Sequence, residues 1–171
     1  MKKFLSLPYI FVLVLSLLLV GCQGGETIKI GTLLDKTGDL GSYGPPMEVG
    51  ADLAIKLLQD AGMDIVKVPG DSGTANQKSI AEATRLIDIE GVSAIVGSLS
   101  SGVTMATATA VTIPKNIPIM SPASTSPAIT VMADNDTVFR STVSDAAQGV
   151  VLAQFAWDQG IKSAGAIYIN N

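Results

Sequence analysis

Residues 27–62 read TIKIGTLLDKTGDLGSYGPPMEVGADLAIKLLQDAG. The apolar run Thr27 to Leu34 predicts a strand, and Asp35 to Gly44 predicts a glycine-rich turn. Pro45 and Pro46 then sit where a helix can begin without needing their missing N–H groups. Gly50, Leu53, Ala54, Leu57, Leu58 and Ala61 follow at the spacing of one buried helix face, and Gly62 ends the helix. A strand, a turn and a helix of this length make one βαβ step, the repeating unit of a parallel sheet.

Outward from there the pattern recurs. Ile65 to Val68 predicts a second strand, after Asp71-Ser72-Gly73 a capping box at Thr74-Ala75-Asn76-Gln77 opens a helix, and Ile80, Ala83 and Ile87 face the sheet. A third strand, Ser93 to Val96, leads through Gly97-Ser98-Leu99-Ser100-Ser101 to a helix with Val103, Ala106, Ala110 and Ile113 on one face. The fourth strand, Ile117 to Met120, ends in the Pro-bounded loop Ser121 to Pro127. Val138 to Thr142 predicts an extended segment, Ser144-Asp145 opens a helix carrying Val151, Leu152, Phe155 and Trp157, and Ala164 to Ile169 predicts a final strand. The expected fold is α/β with a parallel, doubly wound sheet. A last strand with no helix after it predicts truncation within a domain.

Upstream, Lys2 and Lys3 precede an apolar run from Phe4 to Val20 that Ser6, Pro8 and Ser16 interrupt, which reads as a secretory signal over residues 1–21 rather than a membrane span. The segment Leu19-Val20-Gly21-Cys22 resembles the lipobox of bacterial lipoproteins, which implies a lipidated Cys22, a tether over residues 22–27 and a protein held on a membrane by acyl chains. Cys22 is the only cysteine, so no disulfide can form within the chain. The formal charge of −4 becomes more negative once Lys2 and Lys3 are removed, a balance that disfavours nucleic acid as a partner. The chain has no histidine, which excludes a histidine base, a Ser-His-Asp triad and a histidine-ligated metal. No catalytic residues, cofactor or metal site are expected.

In an open parallel sheet the ligand lies beyond the carboxyl ends of the strands. Ser100 and Ser101 stand there at a helix start, where hydroxyls and first-turn N–H groups favour an anion, although serine is also an ordinary helix cap. Ala123, Ser124 and Thr125 stand in the neighbouring loop, where a carbonyl and a hydroxyl suit an ammonium group, although a plain Pro-bounded turn would look the same. Tyr43, on a flexible loop at the same edge, can cover an apolar part of a ligand or anchor its own loop. Asp35 and Asp71 read as turn residues. Gly38, Gly41 and Gly44 give G-x-x-G-x-x-G, which fails the dinucleotide fingerprint, and no Walker lysine occurs.

Together, Ile30-Gly31, Thr37-Gly38 with Tyr43-Gly44, Gly50-Ala51, Leu53-Ala54, Asp71-Ser72-Gly73-Thr74, Ala94-Ile95-Val96-Gly97, Ser121 to Thr125, Phe139-Arg140 and Gln148-Gly149 resemble the type I periplasmic binding proteins of branched-chain amino acid and amide importers. The resemblance implies a two-lobed clamp that closes on a solute, with lobe 1 over residues 28–142 and the start of an incomplete lobe 2 over residues 143–171. It implies a carboxylate at Ser101 with help from the Thr125 backbone, an ammonium at the Ala123 carbonyl and Thr125 hydroxyl, and Tyr43 packed on the side chain. The implied partners are a small solute, an amino acid or amide, and the membrane permease of an ABC importer; the implied location is the periplasm or outer cell envelope. A ligand-sensing lipoprotein of the same fold is the alternative, and an envelope enzyme is disfavoured by the missing base. Two departures from the family pattern are the short Gly62-Met63-Asp64 connection and Pro69-Gly70 where a strand usually continues. A chain with only the start of lobe 2 is expected to bind its solute weakly.

Overall fold

The computed structural model describes residues 26–167; the predicted signal, the tether up to residue 25 and Cys22 lie outside the described residues. Five parallel strands form one sheet: β1 (Ile28–Leu34), β2 (Ile65–Asp71), β3 (Ala94–Gly97), β4 (Ile119–Ser121) and β5 (Val138–Arg140), in the order β2-β1-β3-β4-β5. The connections are α1 (Gly44–Asp60), α2 (Asn76–Asp88) and α3 (Ser101–Thr107), the last running through a π-helical turn, Ala108–Thr112, into Ile113–Lys115. A short 3-10 turn, Pro127–Val131, precedes β5, and α4 (Asp145–Asp158) follows it. Strand order reverses beside β1, between β2 and β3, which makes the carboxyl ends of β1 and β3 the switch point of the sheet.

Register builds the core. Ile95, Ile119 and Val138 are neighbours across β3, β4 and β5 and are all buried, joined by Leu33, Leu86 and Val111. On the opposite face Met120 and Phe139 are neighbours and are each 44% exposed, as period-two alternation requires of a sheet covered on one side at that point. β2 runs straight through Pro69 and Gly70, which pair with Thr32 and Leu33. An edge strand tolerates the missing N–H, so the sequence departure there changes nothing in the sheet.

Several expectations are corrected. α1 begins at the two prolines, but it does not bury the predicted stripe: Leu53 and Leu57 are about 60% exposed, while Glu48 is buried. The reason is ionic. Glu48 takes hydrogen bonds from Thr32 Oγ1 at 2.8 Å and from Lys67, with Lys36 Nζ 3.2 Å away, and this pairing turns its side of the helix to the sheet. Burial alone would raise the Glu48 carboxyl; the hydrogen bonds from Lys67, Thr32 and Lys36 outweigh it and hold it below the ordinary value.

The capping box at Thr74 does not form. The N-cap of α2 is Ala75, and Thr74 has a left-handed backbone (φ 53°) with its hydroxyl accepting from Leu40 N–H. Along α3 the buried residues are Val103, Thr104, Thr107, Ala108, Val111 and Thr112, and the predicted Ala110 is exposed. Two of these threonines find hydroxyl partners, Thr107 with Ser79 at 2.7 Å and Thr104 with Ser124 at 2.9 Å, whereas the Thr112 hydroxyl has none among the described residues. Of the predicted strand Ala164 to Ile169, residues 164–167 are not extended into any sheet, and the rest lies outside the described residues. α4 is exposed along its apolar side, with Val151, Leu152, Phe155 and Trp157 all more than 60% accessible.

Candidate functional site

A cavity of about 720 Å³ opens at the carboxyl ends of β3 and β4. Ser100, Ser101, Ala123, Thr125 and Tyr43 line it, so five of the six candidate ligand residues share one space. Ser124 does not line it. Its hydroxyl is fully buried behind the wall, accepting from Ser121 Oγ at 2.7 Å and donating to the Leu99 carbonyl at 3.1 Å. Ser98, Thr104 and Ser121 complete this hydroxyl network, and Ser121 shares its one proton between Ser124 Oγ and the Ser98 carbonyl. All four side chains are dry, and a satisfied buried network of this kind holds two loops in one relation. It stitches the β3 loop to the β4 loop beneath the cavity floor.

Each wall has a polarity. At the β3 side, helix geometry leaves the N–H groups of Ser101, Gly102 and Val103 without an intrahelical carbonyl, and the first intrahelical bond runs from Thr104 N to Ser100 O at 2.9 Å. Ser101 Oγ accepts from Ser126 N–H at 3.2 Å. A hydroxyl that accepts there still has its own proton to donate. This wall therefore suits an anion.

On the adjoining β4 loop the chemistry is opposite. Thr125 Oγ1 donates to Asp145 Oδ2 at 2.9 Å, and Asp145 N–H donates back to the Thr125 carbonyl at 2.9 Å. With its proton committed, the Thr125 hydroxyl turns lone pairs outward, and the Asp145 carboxylate adds a negative charge to the same wall. Arg140 on β5 fixes the loop from behind, its Nη1 donating to Ser126 O at 2.7 Å and to Thr125 O at 3.3 Å. This wall suits a cation.

In sequence Asp145 reads only as the opening of a helix. It does open α4, where Ser144 is the N-cap and accepts from Ala146 N–H. Nothing local reveals that the same residue faces Thr125, twenty positions back, because that depends on how β5 returns the chain. Leu40, Met47, Leu99 and Met105 also line the cavity, an apolar and adaptable surface.

Tyr43 stands on a fastened loop, not a flexible one. Asp71 accepts from Lys36 N–H (2.9 Å), Thr37 N–H (3.3 Å), Gly73 N–H (3.0 Å) and Thr37 Oγ1 (2.7 Å), and pairs with Lys78. Burial pushes the Asp71 carboxyl up, but Lys78, Thr37 and the N–H groups of Lys36 and Gly73 together hold it well below the usual carboxylate range. Gly44 closes the turn: a Cβ there would lie 1.9 Å from the Asp35 carbonyl oxygen. Tyr43 itself is 59% exposed, free to meet a ligand. Among the described residues no group of three acidic or cysteine side chains could hold a metal, and no helix is long and apolar enough to cross a membrane.

A family model described as periplasmic binding protein matches residues 27–171. Leu/Ile/Val-binding protein homolog 1 of Brucella abortus is 30% identical over 142 residues, 81% of this chain and 38% of that protein. The isoleucine complex of the branched-chain amino acid transporter substrate binding protein LivJ from Streptococcus pneumoniae superposes with a TM-score of 0.71 at 29% identity, covering 78% of this chain and 39% of that one. A solute binding protein of an ABC transporter from R. palustris, in complex with benzoate, gives a TM-score of 0.70 at 25% identity over 79% of this chain and 38% of its own. The chain thus spans about two fifths of the length of these proteins.

Proposed function

Because the chain belongs to the periplasmic binding protein family, whose members are solute-binding proteins, we propose that it is an extracytoplasmic receptor of an ABC importer that takes an α-amino acid with an apolar side chain. The observation that carries this reading is the polarity of the cavity. Donors at Ser101 and the first turn of α3 lie beside acceptors at Thr125 and Asp145 in one cavity that Leu40, Met47, Leu99 and Met105 also line.

A zwitterion matches that arrangement at both ends. The ligand carboxylate accepts from Ser101 Oγ and the first-turn N–H groups, where the helix end and charge-assisted hydrogen bonds favour an anion. Its ammonium donates to Thr125 Oγ1, Asp145 and the Ala123 carbonyl. Its side chain packs on Tyr43, Met47 and Met105. A plain carboxylate such as benzoate, the ligand of one structural relative, has no group for Asp145, whereas isoleucine, the ligand of another, has its ammonium.

In this reading residues 28–142 are lobe 1 and residues 143–171 begin lobe 2. Ligand then favours a closed clamp because contacts to the second lobe form only when it closes. Residues 1–21 direct export, lipidated Cys22 tethers the receptor to the membrane, and the closed form delivers its solute to a permease. No step breaks a covalent bond in the solute.

A thermal-shift screen of the protein expressed from its complete reading frame, against amino acids, amides and small carboxylates, tests the proposal. Apolar α-amino acids should raise the midpoint by several degrees. Silence across all three classes refutes the receptor reading, and a shift with aromatic carboxylates alone refutes the role given to Asp145.

A further inference from the structure

Asp35 is fully buried, and among the described residues no salt bridge reaches it. A dry carboxylate without a cation is costly, and an aspartate kept only for its turn bonds the backbone two residues on. Asp35 does neither of the cheap things. Its Oδ1 accepts from Thr74 N–H at 2.6 Å, and its Oδ2 accepts from Leu99 N–H at 2.9 Å. One side chain at the end of β1 thus ties down the loops after β2 and β3, the two strands on either side of it.

Leu99 is the residue directly before Ser100 and Ser101. Its N–H is taken by Asp35 and its carbonyl by Ser124, so both polar groups of its backbone are fixed by buried side chains. The direction of the chain as it enters the anion-binding wall is therefore set at Leu99. An asparagine at position 35 could satisfy one N–H but would turn a donor toward the other. Only a carboxylate accepts from both.

We infer that Asp35 is a positioning residue for ligand-carboxylate recognition, holding the Leu99 peptide so that Ser101 and the first-turn N–H groups of α3 present their donors to the cavity. The inference rests on the solute reading above and deepens it, since Asp35 is fully buried and does not line the cavity.

Asp35→Asn and Ser124→Ala, which release the Leu99 peptide from its two sides, are compared with wild type and with Val111→Ala, a core change away from the cavity. The protein is expressed from its complete reading frame. Calorimetry gives the ratio of affinities for L-leucine and L-leucinamide, which differ only at the carboxylate. Amide exchange is followed at Leu99 and, as an internal reference, at Ile95.

In Asp35→Asn the preference for leucine over its amide should fall at least fivefold, with exchange at Leu99 at least tenfold faster and Ile95 unchanged. Ser124→Ala should move both readouts the same way by less, and serves alone if Asp35→Asn does not fold. Val111→Ala should lower the thermal midpoint and leave the ratio untouched. An unchanged ratio in Asp35→Asn, or in Ser124→Ala where only that folds, overturns the inference even if Leu99 exchanges faster, because Asp35 would then serve stability only. A wild type blind to the carboxylate refutes the solute reading itself, and the inference falls with it.

Discussion

Asp71→Asn perturbs the clamp that fastens the Tyr43 loop, and its effect can be worked from the contacts. Asparagine keeps one carbonyl oxygen for the N–H groups of Lys36, Thr37 and Gly73 that now converge on Oδ1. It puts an amide NH₂ where Oδ2 receives Thr37 Oγ1 and Lys78 Nζ. The threonine hydroxyl can rotate and accept from that amide, but the ammonium cannot. The net loss is one hydrogen bond to a charged group and the charge assistance on three others. A hydrogen bond to a charged group is worth about 1.5–3 kcal/mol, and Lys78 is 44% exposed, so screening reduces its share. A cost of about 2 kcal/mol at pH 7 is expected in urea unfolding.

The pH dependence has a fixed sign. Asp71 is depressed in the folded state, so its contribution is complete above the unfolded value near 3.9 and is lost as pH falls toward the folded value. The gap between wild type and Asp71→Asn should therefore narrow by about 1 kcal/mol between pH 7 and pH 3. A gap below about 0.5 kcal/mol at pH 7, or one that is equal at both pH values, would refute this account of the clamp.

Other variants separate the walls of the cavity, with calorimetric affinities as the readout. Asp145→Asn should weaken L-leucine about tenfold to a hundredfold through loss of a charge-assisted contact, and should leave 4-methylpentanoate, which lacks the ammonium, unweakened. Ser101→Ala should weaken both ligands by a similar factor, about tenfold, because both carry the carboxylate it serves. Gly44→Ala drives a Cβ into the Asp35 carbonyl and should cost about 3 kcal/mol in urea unfolding, with the near-ultraviolet dichroism of Tyr43 altered.

Much of this architecture is legible in the sequence because it is carried by local signals. Period-two and period-3.6 apolar runs, punctuated by Gly and Pro, mark β1 to β5 and their helices to within a few residues. The rule that ligands sit beyond strand ends brings Ser101, Ala123 and Thr125 to one place. The differences over which side chains are buried share a cause. Glu48 is inside because Lys67 and Lys36, distant along the chain, reach it. Thr104 and Thr107 are inside because Ser124 and Ser79 satisfy them. In each case a polar residue is buried by a partner that only the fold supplies. Asp145 and Asp35 belong with these: one looked like a helix start and the other like a turn, and each gains its meaning from partners 20 to 64 positions away.

The central claim is that the cavity holds a zwitterion with its carboxylate at Ser101 and its ammonium between Thr125 and Asp145. A crystal structure of the protein, expressed from its complete reading frame and grown with L-leucine, tests it most directly. The predicted result places a carboxylate oxygen within about 3.2 Å of Ser101 Oγ and the ammonium nitrogen within the same distance of Thr125 Oγ1 or an Asp145 oxygen. Leucine bound in the reverse orientation, or bound elsewhere with this cavity filled only by solvent, would contradict it.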